Sequence, residues 1–269
     1  MFLLTGTIPF AGGDGDYSVL SILDGAHSIG KGFLGFLTMK ESNALRSVCV
    51  EFREAVMDFP WMDAESKITG SVKAWRAAFP AARAVNVSGR ADIVDSDFLH
   101  IRGFARHARL HTVNMEQCSG VTDAAFVHLR GVKMLDMSWC RQETITDAAF
   151  VHLHGIHALN MGGCQQATIT DAAFVNLRNI RTLNMRSCNQ ETITDGAFVH
   201  LRGIQSLDMA YCRQETITDG AFVHLRGIHA INMWGCNQTN ITDAAKVHLG
   251  GIQLSISSHR LNRIFYQQL

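Results

Sequence analysis

Apolar residues in the central half of the chain return at a fixed interval. The phrase that starts at Val121 starts again at Ile145, a step of 24 residues, and further copies start at Ile169, Ile193, Ile217 and Ile241. Within one copy, Leu159 and Met161 alternate with Asn160, which predicts a short strand with one buried face. Earlier in the same copy, Phe150 and Leu153 have the spacing of one side of a helix. Each copy therefore predicts one strand and one short helix.

The ends of the predicted helix are also marked in the sequence. Thr146 or Asp147 can cap its start, and Gly155 can end it. No single copy can bury its apolar side chains, so neighbouring copies must stack. A period of roughly 20 to 29 residues is typical of leucine-rich-repeat solenoids. The sequence thus predicts an α/β fold, a right-handed horseshoe arc with a parallel inner sheet and outer helices.

Six cysteines share one position, three residues after the strand methionine or its equivalent. They are Cys118, Cys140, Cys164, Cys188, Cys212 and Cys236. A thiol at this turn predicts a structural ladder of small buried groups. A metal site is the alternative, but no Cys-x-x-Cys pair provides ligands at chelating spacing. Because seven cysteines is an odd count, we also expect reduced thiols and a cytoplasmic or nuclear protein.

This pattern resembles the cysteine-containing leucine-rich repeats of F-box/leucine-rich-repeat proteins. Units of that family also combine Ile-Thr-Asp, a short helix and a cysteine after the strand, as in Ile145–Cys164. The resemblance covers about half of the chain and rests on six copies in phase.

The first 70 residues differ from the repeats. Residues 1–18 are rich in Gly and Asp and predict a flexible tail, whereas 19–70 predict a small helical module. Thr38 and Glu41 have the spacing of a capping box. After them, apolar residues recur at helical intervals until Pro60, which predicts one continuous helix.

Two phrases of this module, Phe33–Glu41 and Leu45–Arg53, resemble an F-box. Thr38 stands where that family usually has proline, and Phe52 where it has tryptophan. The resemblance implies binding to the small adaptor of cullin-RING ubiquitin ligases. The residues that match its contact phrase are Leu37, Met39, Leu45 and Val48. The alternative is a helical cap that shields the apolar end of the solenoid.

The solenoid is expected to occupy residues 71–269. Ser71 should cap a helix that reaches Phe79, and Val85–Val87 and Val113–Met115 predict degenerate first strands. Residues 104–109 look like an insertion before the second of these strands. Lys246 takes the place of a core aromatic residue and marks the last coil. A closing strand and an amphipathic helix then form a C-terminal cap over about 250–269.

Composition narrows the range of functions. The 269 residues contain 24 Lys and Arg and 24 Asp and Glu, and this zero net charge argues against a nucleic-acid partner. No apolar run approaches the ~20 residues that span a bilayer, so no membrane partner is expected. A row of histidines repeats at one helical position: His100, His128, His152, His200, His224 and His248. Copies on a convex face diverge instead of converging on one substrate.

The strands carry a second polar row, which predicts a hydrated stripe in preference to a calcium site. Its members are Asn114, Asp136, Asn160, Asn184, Asp208 and Asn232. No phosphate loop, catalytic carboxylate pair or zinc signature is present. We therefore expect no catalytic residues, no metal and no cofactor, and a protein that is not an enzyme.

Two functional hypotheses remain. The first is a target-recognition subunit of an SCF-type ubiquitin ligase, monomeric by itself, with the module on the adaptor and the concave face on a target protein. The second is a stand-alone binding or scaffold solenoid. Differences between copies at the ends of the strands predict the target-binding residues, because Trp, Tyr and Arg dominate interface hot spots. They are Trp139, Arg141, Arg186, Tyr211, Arg213 and Trp234.

Overall fold

The computed structural model describes residues 34–102 and 110–250. The expected tail over 1–18, the insertion at 104–109 and the closing cap after residue 250 lie outside these ranges. In the described part, three helices lead into an array of coils that each contribute one strand to a single sheet.

The sheet has seven parallel strands in chain order, β1 to β7, and helices connect them on one side. The strands are β1 Ala84–Asn86, β2 Thr112–Asn114, β3 Met134–Asp136, β4 Ala158–Asn160, β5 Thr182–Asn184, β6 Ser206–Asp208 and β7 Ala230–Asn232. The helices are α1 Met39–Leu45, α2 Val50–Asp58, α3 Val72–Ala78, α4 Asp95–Ile101, α5 Asp123–Phe126, α6 Asp147–Phe150, α7 Asp171–Phe174, α8 Asp195–Phe198, α9 Asp219–Phe222 and α10 Asp243–His248. The predicted α/β solenoid is confirmed by this parallel sheet with a helix between each pair of successive strands.

Exact stacking of the coils produces one continuous core. Leu159 pairs in register with Leu135 on one side and with Leu183 on the other. Each four-residue helix such as α6 places Phe150 in the core with no exposed surface. Thr146 caps this helix as expected, and Gly155 follows it with φ of 78°. Since a coil has no core of its own, its stability depends on the coils beside it.

The Ile-Thr-Asp phrase joins neighbouring coils. The backbone N–H and the hydroxyl of Thr146 both donate to the carboxylate of Asp123 in the preceding coil, at 2.8 and 2.7 Å. The same pair recurs in every coil up to Thr242 with Asp219. Charge-assisted bonds of this length are among the stronger hydrogen bonds in proteins. The phrase is therefore a connector between coils, besides a cap for its own helix.

The N-terminal module contains two helices where the sequence predicted one. The chain leaves helical geometry between α1 and α2, and Cys49 adopts an extended conformation with φ of −155° before α2 begins. The Ser47 hydroxyl donates to the carbonyl of Ala44 at the end of α1. Because of this break, Val48 leaves the helical face and is 50 % exposed. The capping box of Thr38 and Glu41 at the start of α1 is confirmed.

The module also closes the first edge of the sheet. The carbonyl of Trp61 accepts hydrogen bonds from Arg83 and Ala84, and Ile68 donates to Asn86 of β1. Trp61 itself is buried against Phe79 at the end of α3. These contacts cover backbone groups that an unpaired edge strand would expose.

A buried arginine ties α3 to the first coil. Arg76 donates to the carbonyls of Ala82, His100 and Ile101, the last two at the C-terminal end of α4. Its guanidinium also lies 4.6 Å from the ring centre of Trp75. Burial lowers the pKa of Arg76 to about 10. The negative end of the α4 dipole favours a cation at this position.

Candidate binding surface

The cysteine ladder forms the inner wall of the turn that follows each strand. Each thiol donates to the carbonyl of the residue that follows the strand in the preceding coil, as Cys164 does to Met137 at 3.2 Å and Cys188 to Met161 at 3.1 Å. Burial raises the pKa of Cys118 to about 11 and that of Cys140 to about 12, and it also raises the pKa of Cys164. The thiols therefore stay protonated and act as small buried donors.

Most of the polar row within the strands is not the hydrated stripe that the sequence suggested, since four of its six members are buried and only Asn114 and Asn184 are half-buried. Asn160 and Asp136 are each 8 % exposed, and Asn232 is fully buried. Each of these side chains accepts the backbone N–H two residues ahead, as Asp136 accepts that of Ser138 at 2.9 Å. The stripe interpretation was wrong because the turn after the strand leaves this N–H without a backbone partner, and the side chain supplies one.

The residue before each ladder cysteine adopts left-handed backbone geometry. Trp139 has φ of 61° and Tyr211 of 59°, while Gly163 and Gly235 stand at the same position one coil later. A Cβ atom on Gly163 would lie 2.8 Å from the Trp139 indole, and one on Gly235 would lie 2.7 Å from the Tyr211 ring. Each aromatic ring thus lies over a glycine of the next coil.

Tyr211 is the centre of a compact group of rings and cations. Its ring meets that of Trp234 edge to face at a centroid distance of 4.6 Å. Arg186 lies 4.9 Å from the Tyr211 ring centre on one side, and Arg213 lies 5.9 Å away. Cation–π and edge-to-face contacts both restrict side-chain motion. The structure therefore brings four of the six expected target-binding residues into one cluster.

The other two expected residues form a separate pair. Arg141 lies 4.5 Å from the Trp139 ring centre, and its Nε donates to the carbonyl of Gly163 at 3.1 Å. Trp139 and Trp234 nevertheless remain 45 % and 43 % exposed. We call the two groups together the aromatic–arginine surface: Trp139, Arg141, Arg186, Tyr211, Arg213 and Trp234. Its residues lie in the turns that follow the strands, so they form a surface at the C-terminal ends of the strands.

The four residues that resemble an adaptor contact are not equally accessible. Met39 is 3 % exposed and belongs to the core of the module, and Leu37 and Leu45 pack partly buried against that core. Val48 is half-exposed. Sequence reasoning did not select Phe36, which is 80 % exposed. Apolar type identified the phrase, but only the packing shows which of its residues point outward.

The histidine row lies on the helical side, half-buried in every described coil. Arg130 Nε donates to His152 Nδ1 of the next coil at 3.1 Å. Burial, followed by the charge of Arg130, lowers the pKa of His152. The histidines occupy one position of the coil, as duplication predicts, with Asn176 at that position between His152 and His200. Within residues 34–102 and 110–250, no three His, Cys, Asp or Glu side chains are grouped as metal ligands.

Solved structures with the same architecture identify the fold. The chain aligns with TLR13 from a complex with ssRNA13 at a TM-score of 0.53 and 17 % identity, over 67 % of this chain and 25 % of TLR13. It aligns with Drosophila Toll from a complex with Spatzle at 0.54 and 12 %, over 75 % and 30 % of the two chains. The fold is a leucine-rich-repeat solenoid. Yeast Rad7 from a complex with Elc1 aligns at 0.54 and 16 %, over 73 % and 54 %.

The leucine-rich-repeat likeness is one of architecture. No family model and no curated protein matches the sequence. The chain spans between a quarter and about half of the length of the three structures above. Across the described ranges, the helices are too short or too polar to traverse a bilayer.

Proposed function

We propose that this chain is the target-recognition subunit of an SCF-type ubiquitin ligase. The N-terminal module binds the adaptor, and the aromatic–arginine surface binds a target protein. The proposal places the protein in the cytoplasm or nucleus, where its thiols stay reduced, and assigns it no catalytic step. Target binding is the broader part of the proposal, and attachment to the adaptor is the narrower part.

The main support for target binding is that two tryptophan side chains are exposed and are also held in place by their neighbours. Trp139 and Trp234 expose more than two fifths of their surface although each contacts an arginine or a tyrosine. Held aromatic rings lose little conformational entropy on binding and release water from a large apolar area. Toll and Rad7 have the same fold and were solved with protein partners, whereas TLR13 was solved with single-stranded RNA. Zero net charge favours a protein partner here.

Adaptor binding rests on the resemblance of the module to an F-box and on its exposed apolar residues. Phe36 and Val48 lie in or beside the two matching phrases and expose 80 % and 50 % of their surfaces. Exposed apolar residues on an otherwise packed module fit a protein contact. Phe36 and Val48 are thus the best residues for a test, because Met39 is needed for the core.

The test is direct binding of the purified chain to the purified adaptor, measured by calorimetry. Wild-type protein should bind, and Phe36→Asp with Val48→Asp should abolish binding without changing the melting temperature. Leu99→Asp is a matched control, since Leu99 is 59 % exposed on α4 of the solenoid. Absence of binding by the folded wild-type protein would remove the ligase role.

A stand-alone scaffold is the second candidate, and one observation favours it. The module covers the edge of β1 through Trp61 and Ile68, which is the task of a cap. A cap needs no adaptor. This candidate gains if the chain binds a target but not the adaptor.

A further inference from the structure

Basic and acidic residues are concentrated at opposite ends of the strands, although the net charge of the chain is zero. Five segments that lead into the strands contain no Asp or Glu: 127–135, 151–159, 175–183, 199–207 and 223–231. They contain six permanent cations, which are Arg130, Lys133, Arg178, Arg181, Arg202 and Arg226. The carboxylates of these coils lie in the strands, in the loops after them and at the helix starts. We call the five segments the basic band.

The recorded ion pairs of residues 34–102 and 110–250 do not include the cations of the band. The ion pair of Arg90 with Asp92 lies outside the band, and no cation of the band pairs with a described carboxylate. Burial and then neighbouring cations lower the pKa of His157, which lies between Lys133 and Arg181. A row of like charges without partners attracts an anionic partner.

An apolar row accompanies the cations. The first residue of each band segment is a valine that leaves 37 to 57 % of its surface exposed: Val127, Val151, Val175, Val199 and Val223. One valine of this row meets two arginines in a groove of about 350 Å³, which is lined by Arg178, Asn179, Val199, His200 and Arg202. The surface is thus both cationic and apolar.

The groove differs from its neighbours along the array. Two arginines of the band contact the histidine of the next coil, Arg130 with His152 at 3.1 Å and Arg202 with His224 at 3.5 Å. No such bond joins Arg178 to His200 among the described hydrogen bonds, so both side chains are available to a ligand. Asn179 stands where the neighbouring coils have glycine and holds φ of 68°. It adds an amide donor to this groove alone.

We propose that the basic band, centred on this groove, binds an acidic segment of a partner protein in which carboxylates alternate with apolar side chains. The carboxylates lie on Arg178 and Arg202, and the apolar side chains lie on the valine row. Five coils at ~4.8 Å span roughly 20 Å, the length of about six extended residues. A nucleic acid would satisfy the arginines but would leave the valines without apolar contacts. The band lies before the strands and the aromatic–arginine surface lies after them. This site is therefore independent of the proposed function.

The test uses a fluorescent peptide in which glutamate alternates with leucine, measured by anisotropy against the full chain. It should bind, and the affinity should fall as salt increases. Arg178→Glu with Arg202→Glu should weaken binding at least about tenfold. Lys40→Glu with Lys73→Glu makes the same charge change on exposed residues outside the band and should leave binding unchanged.

Two further variants test the details. Val199→Ser should lower the affinity for the peptide several-fold. Replacement of the leucines of the peptide by serine should have the same effect. Asn179→Gly should lower this affinity without loss of stability, because glycine adopts this backbone conformation freely. The proposal is overturned if the peptide does not bind, or if both charge variants bind it equally. It is equally overturned if single-stranded DNA binds more tightly than the peptide and is insensitive to Val199→Ser.

Discussion

The Trp139 indole covers Gly163 so closely that a Cβ atom on the glycine would lie 2.8 Å from the ring. Tyr211 and Gly235 repeat the relationship three coils further along. The exposed aromatic rings therefore pack against the backbone of the next coil, which restricts their motion. At this turn, an aromatic residue in one coil is followed by glycine at the same position of the next coil, as with Trp139 and Gly163 and with Tyr211 and Gly235.

The first prediction concerns this contact. Gly163→Ala should lower the free energy of unfolding by more than Gly131→Ala. Both glycines have positive φ, of 72° and 86°, so both variants carry a strain of about 1–2 kcal/mol. Only at Gly163 does the methyl group also meet a ring. Denaturant unfolding of the two variants measures the difference, which should vanish when Trp139→Ala is added. Equal losses without that addition would mean that the ring moves away freely.

The second prediction concerns the ladder thiols. In the folded protein, a thiol reagent should label Cys49 and leave Cys164, Cys188 and Cys212 almost unlabelled. Cys49 is half-buried, whereas the other three are fully buried. Burial also raises the pKa of Cys188 and Cys212 well above the usual thiol value, so little reactive thiolate forms. Because Cys236 at the end of the ladder is also half-buried, Cys49→Ser combined with Cys236→Ser should remove the fast phase of labelling. A fast phase that persists in this variant would contradict the buried ladder.

The third prediction concerns a buried carboxylate. Burial raises the pKa of Asp208, an effect that the hydrogen bond from the Ala210 N–H at 2.9 Å only partly offsets. A raised pKa means that the charged form destabilises the folded state above that pKa and ceases to do so as the pH falls below it. Asp208→Asn should therefore raise the melting temperature at neutral pH, and its advantage should shrink toward about pH 4.

Asp219→Asn is the contrasting variant. Hydrogen bonds from Thr242 lower the pKa of Asp219, so its charge stabilises the folded protein at neutral pH and that contribution is lost on acidification. This variant should lower the melting temperature at pH 7. The same sign of change for both variants would refute the account of the two carboxylates.

The fourth prediction concerns the junction between module and solenoid. Arg76→Ala should lower the free energy of unfolding by about 2–3 kcal/mol, because it leaves the buried carbonyls of Ala82, His100 and Ile101 without a donor. Arg83→Ala, next to β1, serves as a control of the same residue type with a smaller expected effect. Thermal or denaturant unfolding measures both. A loss below about 1 kcal/mol for Arg76→Ala would show that water replaces the guanidinium.

The repeat made much of the fold predictable from the sequence. Phe150 marks the helix, Leu159 the strand and Cys164 the turn, because each residue type recurs at one position in copy after copy. The break before Cys49 was not predicted, since the apolar residues on both sides of it keep helical spacing. In the same way, Asn160 looks like a solvated residue until its bond to the N–H of Gly162 is seen.

The candidate surfaces were predictable in part. Comparison of the copies identified Tyr211 and Trp234, and their contact follows from the pairing of adjacent strands. The exposure of Phe36 depends on tertiary packing, which a single sequence does not show. The basic band was not predicted, because a net charge of zero does not show at which end of the strands each charged residue lies.

The most direct test of the central claim compares the proteins captured by three forms of the chain in quantitative mass spectrometry. The forms are wild type, the module variant Phe36→Asp with Val48→Asp, and the surface variant Trp139→Ala with Trp234→Ala. We predict that the module variant loses the adaptor and cullin but keeps a target protein. The surface variant should keep the ligase subunits and lose that target, with a change of at least about 2 kcal/mol in its affinity. Wild-type protein that captures no adaptor, or a surface variant that keeps every captured protein, would contradict the account.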